Sequence, residues 1–436
     1  MTLPPLFLLS LYRLLALALT PLWLGVLLLR LAQGKEDPRR VMERLGWPTC
    51  RRPPGPLVWF HAASVGELNS LLPVLAALQS RDGAPAVLIT TVTRTSAALA
   101  ARVLPPGVIH QFVPIDHWLA FLPFRCHWRP RLGLLAEAEL WPELMQAMPH
   151  LQLINARMSE RSFRSHRRLP WYAGWLLSRV EVCLAQSQAD AERFRRLGAR
   201  DVRAAGSTKL DAAPPPVDPG HLQRLQQLFA DRPVLVLASS HPGEEEQWLR
   251  AWCGRNLAGR GFALLLVPRH PQRAVEVRAL VRSCGLSATL WSEWASGASV
   301  SSGSPADVLV ADVIGEMGTW IAAATVVVMG GSFYPLGQPH GGQNPLEPAA
   351  LGRPVLCGPD MANFSDLIDP LVAAGCLQQQ GDVEGALAAA LPLLEQAAAT
   401  PSTPPSTAQA VQAPPARLRW QGPSALVADL VLARCL

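Results

Sequence analysis

The segment His61-Ala62-Ala63-Ser64-Val65-Gly66-Glu67 leaves an apolar run and enters a helix-like one. A carboxylate in that position, Glu67, can act as a general base toward a hydroxyl nucleophile. A helix start favours its ionised form, and desolvation by a bound substrate raises its basicity. Gly66 leaves space for that substrate. The same residues also spell a capping box, Ser64-x-x-Glu67, in which the carboxylate serves only the helix. The two readings differ in where the side chain points.

Glycine-rich turns near the far end suggest the other half of the chemistry. Gly330-Gly331-Ser332 follows the apolar run Thr325–Met329, and Gly341-Gly342-Gln343-Asn344-Pro345-Leu346-Glu347 opens a helix-like stretch. Such turns let backbone approach a ligand closely, and a helix start offers N–H groups to an anion. With Glu347 to accept from sugar hydroxyls, the pattern suits a nucleotide-sugar, phosphate at the helix start and ribose at the carboxylate. It equally serves a tight strand-to-helix connection. Ser239-Ser240-His241-Pro242-Gly243-Glu244 reads as a further helix start, and Arg269, between Pro268 and Pro271, is a fixed countercharge or a surface ion-pair partner. Lys209 is a further cation for an anionic donor.

Acceptor chemistry has two candidates. Glu137 and Glu139 follow the run Arg131–Ala136 and can orient a hydroxylated acceptor or pair with an arginine. Arg157, Arg161, Arg164 and Arg168 fall at i, i+4, i+7 and i+11, which on one helix makes a basic face. Such stripes are commonly solvated, yet four arginines with little acid between them suit phosphate oxygens. The stripe is expected to grip acceptor phosphates or lipid headgroups.

These residues need strands to deliver them. Candidate strands are Leu57–Ala62, Ala86–Thr90, Arg131–Ala136, Leu151–Asn155 and Val182–Ala185, with helices such as Leu68–Gln79 and Asp190–Leu197 between them. The irregular Ala212–Gly220 reads as a linker. The pattern resumes with Val234–Ala238, Ala263–Val267, Val308–Ala311, Thr325–Met329 and Pro354–Cys357. Continuous apolar strands alternating with helices predict two doubly wound parallel sheets facing each other, with ligands beyond the strands' carboxyl ends. Residues 395–415 read as a flexible insertion before a last helix, Ser424–Cys435.

The first 34 residues stand apart. Leu14–Leu29 is close to a bilayer core in length, with Pro21 as a kink, and Arg30, Lys35, Arg39, Arg40 and Arg44 follow. This predicts an uncleaved anchor with everything downstream in the cytoplasm; a hydrophobic first helix lying on the protein or in the interface is the alternative. Residues 1–210 carry 26 Lys and Arg against 14 Asp and Glu, the remainder 13 against 19, within a net charge of +6. A basic front half beside an apolar segment suggests anionic lipid rather than nucleic acid, whose recognition signatures are missing from the sequence. Eight scattered cysteines fit a reducing compartment and predict no structural metal.

Taken in order, His61–Glu67, Ala136–Glu143, Asn155–Ser162, Gly206–Asp211, Ser239–Glu246, Pro268–Arg273, Gly315–Glu316, Gly330–Ser332 and Asn344–Pro348 resemble the bacterial transferases of 3-deoxy-D-manno-octulosonic acid (Kdo). The resemblance spans about residues 57–365. It implies a GT-B fold with domains at 35–211 for acceptor and 221–420 for donor, flanked by the 1–34 anchor, the 212–220 linker and a 421–436 helix. It implies CMP-Kdo as donor, a lipid A precursor as acceptor, and inverting transfer with neither metal nor cofactor, in keeping with the lack of a D-x-D motif. Glu67 then matches the family's base. Lys209, Ser239, His241, Arg269, Gly315, Glu316, Gly331, Ser332, Asn344 and Glu347 lie on the donor side. Gly66, Glu137 and the four stripe arginines lie on the acceptor side. Ala138 stands where threonine is usual, Ser207 where asparagine is usual and Gln343 where histidine often stands, and Pro339-His340 lengthens the donor turn. Another membrane-associated transferase with a different nucleotide-sugar, or a non-catalytic lipid-binding protein, remains open on the residues alone.

Overall fold

The computed structural model describes residues 5–230, 232–296, 306–333, 337, 339–399 and 422–435. Fourteen described strands form two sheets. The first holds β1 (Leu57–Ala62), β2 (Ala86–Thr91), β3 (Ile109–Phe112), β4 (Leu132–Ala136), β5 (Gln152–Ala156), β6 (Val182–Ala185) and β7 (Val202–Ala204). The second holds β8 (Val234–Ser240), β9 (Ala263–Pro268), β10 (Ala288–Leu290), β11 (Val308–Val310), β12 (Val326–Met329), β13 (Val355–Cys357) and β14 (Leu377–Gln379). Every pairing is parallel. Strands β1, β4, β5, β8, β9 and β12 are buried along their whole length, as helices on both faces require.

The chain divides into two compact units. One runs to Ala212 and includes the C-terminal helix; the other is Ala213–Trp420. The C-terminal helix, Ser424–Cys435, buries Val427, Ala428 and Val431 in the first unit's core beside Leu71, Val74 and Leu75. Asp211 receives it, accepting the N–H groups of Gly422 at 2.7 Å and Ser424 at 2.9 Å.

Sheet order sets the sites. The first sheet runs β3-β2-β1-β4-β5-β6-β7 and the second β10-β11-β9-β8-β12-β13-β14. Chain direction across the sheet reverses between β1 and β4 in one unit and between β8 and β12 in the other. Loops leaving adjacent strands diverge at such a point and open a crevice for ligands.

Several expectations need correction. Strands β3, β7, β10 and β14 escape the sequence reading because they are short, lie toward the sheet margins and mix polar with apolar residues. The expected flexible segment begins too early: helix Val383–Ala399 runs through its first five residues, and 400–415 lie outside the described residues. The apolar amino-terminal segment is two helices, Pro5–Ala18 and Thr20–Ala32, bent by 59° at Leu19. Pro21 starts the second helix, where its missing N–H costs nothing, instead of kinking one long span. Neither helix alone is long and apolar enough to cross a membrane, although the bent pair passes that test by length and composition. Polar bonds tie the pair to the first unit: Arg13 to Glu143 at 2.6 Å, Tyr12 to Asp116 at 2.6 Å, Thr20 to His117 at 3.2 Å. Leu14, Leu22 and Leu28 remain more than 60% exposed.

Candidate functional site

The first unit gathers carboxylates at its switch point. Helix Val65–Gln79 starts straight after β1 because Ser64 Oγ accepts the Glu67 N–H at 3.2 Å. The Glu67 carboxylate turns back to accept the Ala63 N–H at 2.7 Å. The capping geometry is therefore real, and it fixes the carboxylate beside β1's carboxyl end. Glu67 is only 6% exposed. Burial pushes its pKa up to about 7, opposed by the bonds at Ala63 and Ser64 and reinforced by the charges of Glu137 and Glu139. Beside it, Gly66 is exposed, and a Cβ there would meet only Ser64 Oγ at 3.8 Å, so the space over this first turn is open.

Glu137 leaves β4, the strand next to β1, with φ at 58°, a left-handed backbone that side chains seldom adopt. Its N–H is fixed to the Ile154 carbonyl at 3.0 Å. Burial raises the Glu139 carboxyl as well, against a bond with Trp141. Carboxylates from two adjacent strand ends thus share one neighbourhood, and the charges of Glu137 and Glu139 push Glu67 toward its protonated form.

Asn155, at the end of β5, was not singled out as a site residue. It is 1% exposed with φ at 54°, and its Oδ1 accepts the Thr208 N–H at 3.1 Å. Thr208 in turn donates its hydroxyl to the Ser70 carbonyl at 2.6 Å, one turn beyond Glu67. This chain fastens the short turn Thr208–Asp211, and with it half-buried Lys209, to the Glu67 helix. An asparagine closing an apolar strand was the available signal.

The arginine stripe is not one helical face. Ser159 caps helix Glu160–Arg167, so Arg157 lies half-buried in the preceding loop and Arg168 is the C-cap. Arg161 and Arg164 are exposed on the helix, and Glu160 bonds Arg164 at 2.9 Å and faces Arg193 at 3.5 Å. Charge in the basic cluster after the two amino-terminal helices is also partly spent internally: Arg44 pairs with Glu36 at 3.0 Å, and Arg40 with Glu43 at 2.8 Å.

The second unit builds its site at its own switch point. Ser239, the penultimate residue of β8, is left-handed at φ 57°, and the residue after β12 passes so close that a Cβ on Gly330 would lie 2.5 Å from the Ser239 carbonyl. Gly331 has φ at 66°, and the His241 ring lies 3.1 Å from where its Cβ would be. Glu244, fully buried, joins the two loops. It accepts the N–H groups of His241 at 2.8 Å, Gly331 at 2.7 Å and Phe333 at 3.1 Å. Glu245 holds the next layer through Ser240 at 2.8 Å and Arg273 at 2.8 Å. In the sequence these glutamates marked only a helix start; their burial is what the sequence did not convey.

Cations crowd this rim. His241 is driven down to about 4, first by burial and then by His340, Arg269, His270 and Arg273, so it is neutral near pH 7. The His241 and His340 rings stack at 4.1 Å, and Gln343 reaches His241 at 3.2 Å. Burial raises the Glu347 carboxyl, which Asn344 at 3.2 Å and the charge of Arg269 pull back down. Asn344 precedes the helix Leu346–Ala350, accepting the Leu346 N–H at 3.1 Å, rather than riding on it. His241, Arg269, Asn344 and Glu347 thus share one rim.

Two expected donor residues are spent on the fold. Ser332 donates to the Met329 carbonyl at 2.5 Å and accepts the Gly358 N–H at 2.8 Å while fully buried. The Glu316 carboxylate meets His221 at 3.0 Å and Thr319 at 3.0 Å. Gly315 beside it is exposed with φ at 97°.

Two doubly wound parallel-sheet units, each with polar residues ordered at its own switch point, define a GT-B-like α/β fold. A solved UDP-GlcNAc 2-epimerase from Neisseria meningitidis shares this fold at 12% identity and TM-score 0.52, covering 87% of this chain and 99% of that one. A profile described as 3-deoxy-D-manno-octulosonic-acid transferase (kdotransferase) matches residues 39–212. A 3-deoxy-D-manno-octulosonic acid transferase from Bordetella pertussis is 36% identical over 80% of this chain and 82% of its own length. The solved C-terminal CMP-Kdo binding domain of WaaA from Acinetobacter baumannii is 28% identical, covering 44% of this chain and 96% of that domain at TM-score 0.35. The chain belongs to the 3-deoxy-D-manno-octulosonic acid transferase family and is a glycosyltransferase.

Proposed function

We propose that this glycosyltransferase moves Kdo from CMP-Kdo to a hydroxyl of a lipid A precursor, with inversion at the anomeric carbon and without a metal ion. Glu67 is the general base. The observation carrying this reading is a carboxyl at the switch point of the first unit with its pKa pushed up to about 7, poised to take a proton near neutrality. The base removes the acceptor proton as the hydroxyl oxygen bonds to the anomeric carbon. The bond to the phosphate oxygen breaks on the opposite face, and CMP departs with the electron pair. A phosphate leaving group needs little protonation, so a single base suffices.

The second unit supplies the donor pocket. Arg269 is the fixed countercharge for the CMP phosphate, and the close backbone at Gly331 lets the nucleotide approach. Neutral His241 can donate one hydrogen bond, and the Glu347–Asn344 pair is suited to ribose hydroxyls. On the acceptor side, Glu137 orients the sugar, while Arg157, Arg161, Arg164 and Arg168 meet phosphates as a loop-plus-helix patch. Lys209 adds a cation from the turn tied to the Glu67 helix. The apolar faces of the bent helix pair lie in the cytoplasmic leaflet of the inner membrane, where the acceptor resides.

The test is incubation of the purified protein with CMP-Kdo and a tetraacylated lipid A precursor, in buffer with and without EDTA. The expected product gains the mass of Kdo with inverted anomeric configuration in both buffers. Transfer from a uridine diphosphate sugar instead, or abolition by EDTA, would contradict the reading.

A further inference from the structure

A cavity of about 480 Å³ lies in the first unit beneath the second amino-terminal helix. That is the size range of small-molecule sites. Its walls are mainly Trp23, Val26 and Leu27 of the helix, with Val113, Leu140 and Trp141 from the loops after β3 and β4. The polar groups that reach it are already matched with one another. Glu36 holds Arg30 at 2.8 Å and Arg44 at 3.0 Å, and Tyr12 donates to Asp116 at 2.6 Å. With those bonds made, the cavity offers an occupant chiefly apolar contact.

A basic hollow adjoins it. Arg30 lines both, and the hollow continues to Lys35, Thr93, Arg94 and Thr95 with no acidic residue in its lining. Val92, in the cavity wall, is followed directly by Thr93 in the hollow. Apolar space next to the positive charge of Lys35 and Arg94 is complementary to one kind of molecule, an amphiphile with an anionic head. Leu140 and Trp141 also tie the cavity to the segment carrying Glu137 and Glu139, the carboxylates that act on Glu67.

We infer that this pair of spaces is a binding site for the lipid acceptor itself, one acyl chain in the cavity and one phosphate on Lys35 and Arg94. The inference rests on the lipid-acceptor reading above and extends it to a site that selects for acylation. A chain seated under the helix holds the sugar headgroup near the carboxylates, so the enzyme reads the acyl chain as well as the sugar.

The test uses the full chain in neutral-detergent micelles with three probes: tetraacylated bisphosphorylated precursor, its fully deacylated form and its dephosphorylated form. Acceptor binding and turnover are measured separately. Val26→Trp narrows the cavity from a partly exposed position; Lys35→Ala with Arg94→Ala strips the hollow. Val26→Trp should weaken binding of the tetraacylated probe about tenfold, equivalent to losing burial of roughly two methylenes, and leave the fully deacylated probe unchanged. The double variant should weaken the bisphosphorylated probe and spare the dephosphorylated one. Equal effects on all probes, or none, would overturn the inference. So would an effect seen only when phosphatidylglycerol is added, which would assign the site to a bilayer lipid. Selective binding without any Kdo transfer would leave this site standing and remove the catalytic reading instead.

Discussion

The Glu67 carboxylate accepts the Ala63 backbone N–H at 2.7 Å, so the turn that caps the helix also aims the proposed base. Structural and catalytic roles are often treated as rivals for such a residue. Here the bond to Ala63 stabilises the carboxylate while burial opposes its ionisation, and burial prevails.

This balance sets a pH dependence. Activity requires the ionised form, so kcat/KM should rise with one deprotonation through about pH 7. Glu137→Gln removes a like charge and should move that limb to lower pH, which a pH–rate series on the variant would report.

The same raised pKa has a stability consequence. Burial favours the neutral carboxyl, so Glu67's contribution to stability is full below the ordinary glutamate range and is lost as pH climbs through about 7. Glu67→Gln should therefore melt no lower than the parent at pH 8, as followed by circular dichroism.

In the second unit, Glu244→Ala strands the buried N–H groups of Gly331 and Phe333 and the part-buried one of His241. Each orphaned buried donor costs about 1–3 kcal/mol. A marked fall in Tm and loss of CMP binding by calorimetry are expected together.

Gly331→Ala tests the close approach alone. A side chain there would be strained by the positive φ and pressed against the His241 ring. CMP affinity should fall at least about tenfold with Glu67's pH limb unmoved.

Arg161→Gln with Arg164→Gln should raise KM for a phosphorylated acceptor while KM for the donor stays constant. Equal loss on both would remove the patch from the acceptor site.

Much of the architecture was legible because buried parallel strands are continuously apolar: β1, β6 and the last helix appear in the sequence with their observed limits. The short strands β3, β7, β10 and β14 were not, since their mixed residues carry no periodic signal. Chemistry-bearing types at strand ends were legible too, through glycine turns and isolated charges. What the sequence hid was which of them the fold consumes. Ser332 and Glu316 look like ligand residues until their internal partners are seen, while Glu244 and Asn155 look incidental until their burial is known. The arginine spacing misled for a similar reason: Ser159 starts the helix two residues after Arg157.

One variant addresses the central claim most directly. Glu67→Gln, assayed with CMP-Kdo and the acylated acceptor, should lose turnover by about 10²–10⁴-fold while binding CMP as tightly as the parent. Turnover within a few-fold of the parent would contradict a catalytic Glu67 and leave that residue a helix cap.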